Sequence, residues 1–398
     1  MQYIRQTYRL YPNKEQAETI NQWIGNCRWL WNHMLSKNIE HHDKTGKFVF
    51  AYEMSNMLPE LKSEIEWLGL APSQGLQQKC QDLDTAMKIC FKKTSGFPKF
   101  KSKFSDTSGI RLPAGWKFNG KNRINFPKLK GVRVKKHVEV EGKAGALTIK
   151  RDRVGDYWVS ILYQVADHMP PVKNVEKIVG IDLGLKEFAV TSDCEIIKNP
   201  RHLAKSEKKL KKEQRSHSRK KKGSNNREKQ RIKLAKVYRK ITRQRTEFIR
   251  TTANSIAKQN DAVFVEDLNA KGMMRNHKLA KAIADVSWGR FLSELEWQCK
   301  KHQSHFHRVD RFFASSKTCS SCGWKNDHLT LANRTFSCSR CDTEIDRDLN
   351  AALNIINKGI QDKFPSTAAT VGIDACEDMK IEYDFSPGSH ESSKTHGG

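Results

Sequence analysis

Four cysteines constrain this chain more than any other feature. Cys319-x2-Cys322 and Cys338-x2-Cys341 are separated by fifteen residues, the spacing of a tetrahedral four-thiolate zinc site. Each C-x-x-C pair bends the backbone so that two thiolates reach one ion. The ion then replaces the core that a segment of about 25 residues cannot build. A closed shell of four sulfurs leaves no coordination position for a reacting water, so the spacing predicts a structural Zn2+. His328, between the pairs, reads as a surface histidine. The other six cysteines stand singly and form no disulfide framework. Free thiols suit a reducing cytoplasm.

Charge narrows the partners. Lys and Arg number 72 against 44 Asp and Glu, a formal charge of +28 over 398 residues. Such a balance calls for a polyanion, either nucleic acid or an anionic membrane surface. No apolar run approaches the roughly 20 residues that span a bilayer, and the opening "MQYIRQTYRLYP" lacks the apolar core of a secretory signal. Nucleic acid is therefore the expected partner, and no membrane. Residues 201–250 hold 21 Lys or Arg and four Glu, broken by "SHSRKKKGSNN". They read as a helical hairpin whose tip offers Lys220, Lys221 and Lys222 to phosphates. "FPKFKSKF" interleaves Phe97, Phe100 and Phe104 with Lys99, Lys101 and Lys103. Such a stretch can stack on bases while Lys99 and Lys101 neutralise phosphates; a basic loop with anchoring aromatics reads the same way.

The pattern along the chain is mixed. An opening strand precedes Asn13, a helix N-cap with Gln16 as its capping-box partner. Ile20, Trp23, Ile24, Cys27, Leu30, Trp31, Met34 and Leu35 follow at helical spacing, and Leu76, Cys80, Leu83, Met87, Cys90 and Phe91 repeat the pattern. Then come short alternating runs, "WKFNGKNRINF", "GVRVKKHVEVEG", "ALTIKRDR" and "YWVSILYQV", which predict an antiparallel barrel or sandwich. "HMPPVKN" reads as a linker. From Val179, strands alternate with helices, as in a mixed α/β sheet. Residues 361–398 hold seven acids and three Lys with little apolar pattern, as a disordered acidic tail would.

Acids in apolar strands are the chemical signal. Asp is disfavoured inside strands, yet Asp182 lies in "VGIDLG", opposite in face to Ile181 and Leu183. In "VFVEDLN", Phe264 and Glu266 share the face opposite Val263 and Val265, with Asp267 alongside. An acid there costs free energy unless paired or metal-bound. After the last cysteine pair, "CDTEIDRDLNAALNI" places Asp342, Glu344, Asp346 and Asp348 before an apolar helix. Asp342 and Glu344 read as solvated. Asp346 suits an N-cap, and Asp348 flanks the buried stripe Leu349, Ala352, Leu353, Ile356 and Ile360. Two strand acids and one acid at the helix start make a hard-oxygen site for Mg2+ or Mn2+. Such a site can cut a phosphodiester with two metal ions. Periodicity alone does not separate Asp346 from Asp348 as the third acid.

"GIDLGLKEFAV", "VFVEDLNAKGM", "SSKTCSSCG", "FSCSRC" and "DRDLNAALNI" together resemble the TnpB family of bacterial insertion sequences, which is similar in turn to the type V CRISPR effector nucleases. The likeness runs from "RLYPNKEQ" to the final helix. It implies an RNA-guided, Mg2+-dependent DNA endonuclease acting in the cytoplasm. Its partners would be a guide RNA and double-stranded target DNA bearing a short adjacent recognition motif. It also implies that the catalytic acids are Asp182, Glu266 and, through the "DxNAAxNI" wording, Asp348. The chain departs from the family at Asp342, where Gly usually follows the last zinc cysteine, and at Cys194, where Gly often follows "TSD".

The fold class expected is α/β with all-β and helical parts. It comprises a RuvC, RNase H-like nuclease domain with a four-cysteine zinc-ribbon insertion, preceded by a wedge-type β-barrel carrying a helical recognition lobe. The boundaries read as 1–12 and 96–170 for the barrel and 13–95 for the lobe. The nuclease domain takes 176–314 and 343–360, the zinc insertion 315–342 and the tail 361–398. Two other functions compete. A nuclease-inactive RNA-guided repressor would fold alike without cutting. An unguided zinc-ribbon DNA binder would leave the three acids unexplained.

Overall fold

The computed structural model describes residues 2–103, 109–166, 175–330 and 333–364. Phe104, the "HMPPVKN" linker and residues 365–398 of the expected tail lie outside them. The chain divides into two compact units, Met1–His168 with Arg231–Ala235, and Met169–Gln230 with Lys236–Gly398.

The first unit opens with β1 (Gln2–Tyr11) and the long helix α1 (Lys14–Thr45). Asn13 caps α1 as its sequence predicts: its side chain accepts the Gln16 amide at 2.8 Å, and the Gln16 side chain accepts the Asn13 amide at 3.1 Å. Helices α2 (Ala51–Asn56), α3 (Leu58–Glu64) and α4 (Ser73–Phe91) follow, with a 3-10 turn at Glu66–Leu70 between the last two. Strands β2 (Ile110–Leu112), β3 (Lys117–Asn119), β4 (Arg123–Phe126), β5 (Leu129–Lys135), β6 (Lys143–Arg151) and β7 (Tyr157–Val165) complete the unit.

These strands join β1 in one antiparallel sheet of order β2-β6-β7-β1-β5-β4-β3, a half-barrel in which β2 and β3 lie at opposite ends. The first strand of the chain is thus central, pairing β7 from Gln2↔Val165 to Leu10↔Tyr157. Trp23, Leu30 and Leu35 of α1 and Leu76 and Leu83 of α4 share a core with Tyr8, Leu10, Val134 and Ile161 of the sheet. One expected strand is shorter than its pattern. "HVEVEG" leaves the ladder after Lys135 because the Tyr8 hydroxyl takes the Val138 carbonyl at 2.9 Å and the His137 ring packs edge-on to Tyr8.

The second unit contains β8 (Ile178–Leu183), β9 (Glu187–Thr191), β10 (Ile196–Lys198), α5 (His202–Ser218) and, apart from Arg231–Ala235, α6 (Asn225–Gln259). Then come β11 (Ala262–Glu266), α7 (Ala270–Met273), α8 (His277–Val286), α9 (Trp288–His302) and β12 (His305–Val309). The hairpin β13 (Thr335–Ser337) and β14 (Glu344–Asp346) leads directly into α10 (Arg347–Lys363). The main sheet has the order β10-β9-β8-β11-β12. β8, β9 and β10 are antiparallel neighbours, while β11 runs parallel to both β8 and β12.

Alternation along the strands sorts the two faces. Val179, Ile181, Val263 and Val265 pack with Ile249 and Ala253 of α6 and with Phe291 and Leu295 of α9. Ile178, Ala262 and Phe264 pack with Leu353, Ile356 and Ile360 of α10. Gly180 belongs to the second face. A Cβ there would lie 2.3 Å from the Ala352 carbonyl oxygen, so only glycine admits the helix this closely.

Two boundaries shift from expectation. The hairpin places residues 343–346 with the cysteine module rather than with the nuclease sheet. α10 continues three residues past 360, because Asp362 pairs with Lys358 at 2.8 Å and with His307 at 3.4 Å. Phe364 then packs edge-on against Phe264 and His305.

Candidate metal centres

All four cysteines of the paired motifs converge. Their sulfurs lie within 4.8 Å of one another, with Cys319 and Cys341 3.7 Å apart and Cys322 and Cys338 3.5 Å apart. The two pairs are built alike. The Gly323 amide donates to the Cys319 carbonyl at 3.0 Å, and the Asp342 amide to the Cys338 carbonyl at 3.0 Å. Both donor residues are left-handed, Gly323 at φ +74° and Asp342 at φ +56°. Four sulfurs on two such turns fit a tetrahedral zinc ion and leave no place for a fifth donor. His328 is exposed and stands outside the cluster.

The second centre is made of carboxylates. The β8–β11 ladder pairs Val265 with Ile181, so the next step along both strands sets Glu266 beside Asp182. Alternation turns both toward the face that α10 covers, and Asp348 lies in the first turn of that helix. Burial raises the proton affinity of Asp182, and the charges of Asp348 and Glu266 raise it further, so its pKa is pushed up to about 7. Glu266 is also raised, by burial and then by Asp267. Asp267 itself is engaged elsewhere: it forms an ion pair with Arg311, and Arg308 approaches it at 3.9 Å. Among the described residues, the cysteines alone bring three or more ligand atoms within 4.8 Å of each other. The three carboxylates do not meet that spacing, but their mutual repulsion is of the kind a divalent cation relieves.

Asp346 and Asp348 separate cleanly. The Asp346 carboxylate accepts the amides of Asp348 at 2.9 Å and Leu349 at 3.1 Å, which is N-cap geometry. The Asp348 carboxylate meets the Arg347 guanidinium at 3.0 Å and Arg334 at 3.9 Å. Asp342 and Glu344 are exposed.

Sequence reasoning missed two residues. The buried surface of α10 is wider than the expected stripe and includes Asn350 and Asn354, 0% and 5% exposed. Asn350 donates to the Thr318 carbonyl at 2.7 Å and accepts the Ser320 amide at 3.0 Å. Asn354 donates to the carbonyls of Ser315 at 2.8 Å and Thr318 at 2.6 Å. The available signal was an i, i+4 pair of amides inside the otherwise apolar run from Leu349 to Ile356.

The basic segment forms the expected hairpin, with Lys220, Lys221 and Lys222 exposed in the turn between α5 and α6. That turn is braced by Arg227, whose guanidinium donates to the carbonyls of His217 at 3.1 Å and Lys220 at 2.8 Å. In the first unit Lys99 and Phe100 are exposed, while the Lys101 ammonium sits 3.6 Å above the Trp31 ring. The backbone of Lys101 is held at both ends by Asn32. Aromatic anchoring thus accounts for part of "FPKFKSKF".

Comparison with known proteins gives a consistent pattern. A family profile described as "Probable transposase" matches residues 160–277, and one described as "Cas12f1-like, TNB domain" matches 288–355. A third, "Helix-turn-helix domain", matches 1–47, where the described residues form β1 and the single helix α1. A Streptomyces pristinaespiralis protein named "Putative RNA-guided DNA endonuclease" is 32% identical over 358 residues, covering 89% of this chain and 88% of that protein. An Escherichia coli K12 protein of the same name, with InsQ appended, is 28% identical, covering 88% of this chain and 91% of that one. The solved structure titled "Cryo-EM structure of the Cas12f1-sgRNA-target DNA complex" superposes with a TM-score of 0.56 at 19% identity, over 87% of this chain and 84% of that chain. The fold is shared at that distance.

Proposed function

Because this chain belongs to the TnpB family, we propose that it is an RNA-guided DNA endonuclease of a bacterial insertion sequence, acting with a guide RNA on double-stranded DNA that carries a short adjacent recognition motif. The observation that carries the reading is the gathering of Asp182, Glu266 and Asp348 on one face of the second unit's sheet, where burial first, and then the charges of Asp348 and Glu266, hold Asp182 well above the usual carboxylate range. These three are the catalytic residues and the ligands of Mg2+ or Mn2+. Bound there, divalent metal supplies an activated water and stabilises the leaving oxygen of the phosphodiester. Asp182 and Glu266 are fixed by adjacent strands, and Arg347 orients the Asp348 carboxylate while lowering the proton affinity of Asp182.

The remaining parts take supporting roles. Zinc at Cys319, Cys322, Cys338 and Cys341 is structural. Lys220, Lys221, Lys222, Lys99 and Lys101 contact nucleic acid through phosphates. The described residues of 1–12 and 96–170 form the wedge-type barrel and 13–95 the recognition lobe. The nuclease domain takes 176–314 with the helix to 363, around the zinc insertion.

The test is to purify the protein with its co-expressed RNA and present a plasmid bearing a matching target. We expect cleavage in Mg2+, none in EDTA, and none without the RNA. Guided binding with no cleavage in Mg2+ or Mn2+ would instead establish the nuclease-inactive repressor.

A further inference from the structure

The zinc module and Asp348 are joined by buried hydrogen bonds rather than by chain connectivity alone. Asp348 lies in the first turn of α10, where a helix ordinarily frays because its leading amides lack intrahelical partners. Here that turn is bolted down. Asn350, fully buried, bonds the carbonyl of Thr318 and the amide of Ser320, the two residues that flank the zinc ligand Cys319. One turn later Asn354 takes the carbonyls of Ser315 and Thr318. From the other side, the Arg347 amide donates to the Arg334 carbonyl at 2.8 Å. The Arg347 guanidinium reaches the Asn333 carbonyl at 3.0 Å while holding Asp348 at 3.0 Å. Ser320, Asn333 and Arg334 lie within the segment that the four cysteines bracket, and Ser315 and Thr318 lie just before its first ligand, Cys319.

We propose that Asn350 and Asn354 are positioning residues that transmit the shape of the zinc-bound module to Asp348, so that zinc occupancy sets the affinity of the carboxylate centre for its divalent ion. The inference rests on the carboxylate reading above. Its chemistry is that of an outer-shell ligand support. A carboxylate held within a few tenths of an ångström binds metal well, and removing its support costs about 10- to 100-fold in affinity. A plain core role would instead be met by any group that fills the space and satisfies the two backbone partners of Asn350.

The experiment measures Mn2+ binding by electron paramagnetic resonance and zinc content by elemental analysis, on the full chain. Wild type, Asp348→Ala, Asn350→Ala, Asn354→Ala and wild type stripped of zinc by a chelator are compared, with circular dichroism reporting the fold. We expect Asn350→Ala to keep its zinc and bind Mn2+ about tenfold or more weakly, with Asn354→Ala and the stripped protein shifted in the same direction. Unchanged Mn2+ affinity in a folded, zinc-loaded Asn350→Ala protein overturns the proposal. If that variant does not fold, unchanged affinity in both Asn354→Ala and the stripped wild type overturns it. If Asp348→Ala itself leaves Mn2+ affinity intact, the carboxylate reading falls first and this inference with it.

Discussion

Asp346 caps the helix that presents Asp348: one carboxylate accepts the other residue's backbone amide at 2.9 Å, so two acids two positions apart have different tasks. Asp346 holds the helix start, and the Asp348 carboxylate is left to pair with Arg347.

Asp348→Ala should abolish target cleavage while guided DNA binding stays within a few-fold of wild type, measured by plasmid cleavage and gel shift. Asp346→Ala should cost about 1 kcal/mol of stability and leave cutting intact in the folded fraction. The reverse pattern would exchange the two assignments.

Replacing Cys338 with Ser should lower zinc content and folded yield together, because three thiolates cannot close the shell that stands in for a core. Recovery of a stable, zinc-free and fully active variant would exclude a structural zinc.

Neutralising Lys220, Lys221 and Lys222 together should weaken nucleic-acid binding and reduce the slope of log affinity against log salt by about 2 to 3, roughly one phosphate contact per lysine. An unchanged slope would make the hairpin turn a merely solvated surface.

The raised Asp182 carboxyl gives a pH signature. Its folded pKa, about 7, lies above the model-compound value of 3.8. Between these values the folded state holds a proton that the unfolded state releases. Metal-free protein should therefore lose stability as pH climbs through that window. Asp182→Asn should be more stable than wild type at pH 8, by about 1 to 3 kcal/mol, and no more stable at pH 4. Adding Mg2+ at pH 8 should narrow the gap. Denaturant titrations at the two pH values decide it; an equal difference at both would remove Asp182 as the cause.

The two departures from the family wording, Cys194 and Asp342, both occupy left-handed backbone, at φ +61° and +56°. Glycine adopts that region without a Cβ clash, while a substituted residue pays about 1 kcal/mol or more. Cys194→Gly and Asp342→Gly should each raise stability by about 0.5 to 1 kcal/mol, with zinc content unchanged. A loss of stability would mean that the side chains make compensating contacts.

Local rules were legible wherever one residue type has one physical use. The cysteine spacing, the Asn13 cap and the strand acids follow from ligand geometry, orphan helix amides and alternation. Long-range pairing was not legible. Nothing in "MQYIRQTYRLYP" says that it becomes the middle strand of a seven-stranded sheet, because its partners lie over a hundred residues away. The i, i+4 spacing sets Asn350 and Asn354 apart, but their role is not legible because their partners are backbone groups of a distant segment. "HVEVEG" alternates like a strand, yet the Tyr8 hydroxyl claims its carbonyl.

Gly180 carries no group that could take part in a reaction, but the helix that bears Asp348 rests directly on its backbone. In a saturation scan, position 180 should prove as intolerant as the acids beside it. Even alanine would wedge α10 off the sheet and lengthen the reach from Asp348 to Asp182. Anyone redesigning this chain for smaller size or altered activity would have to treat that vacancy as a component, since the spacing of its carboxylates is set by a side chain that is not there.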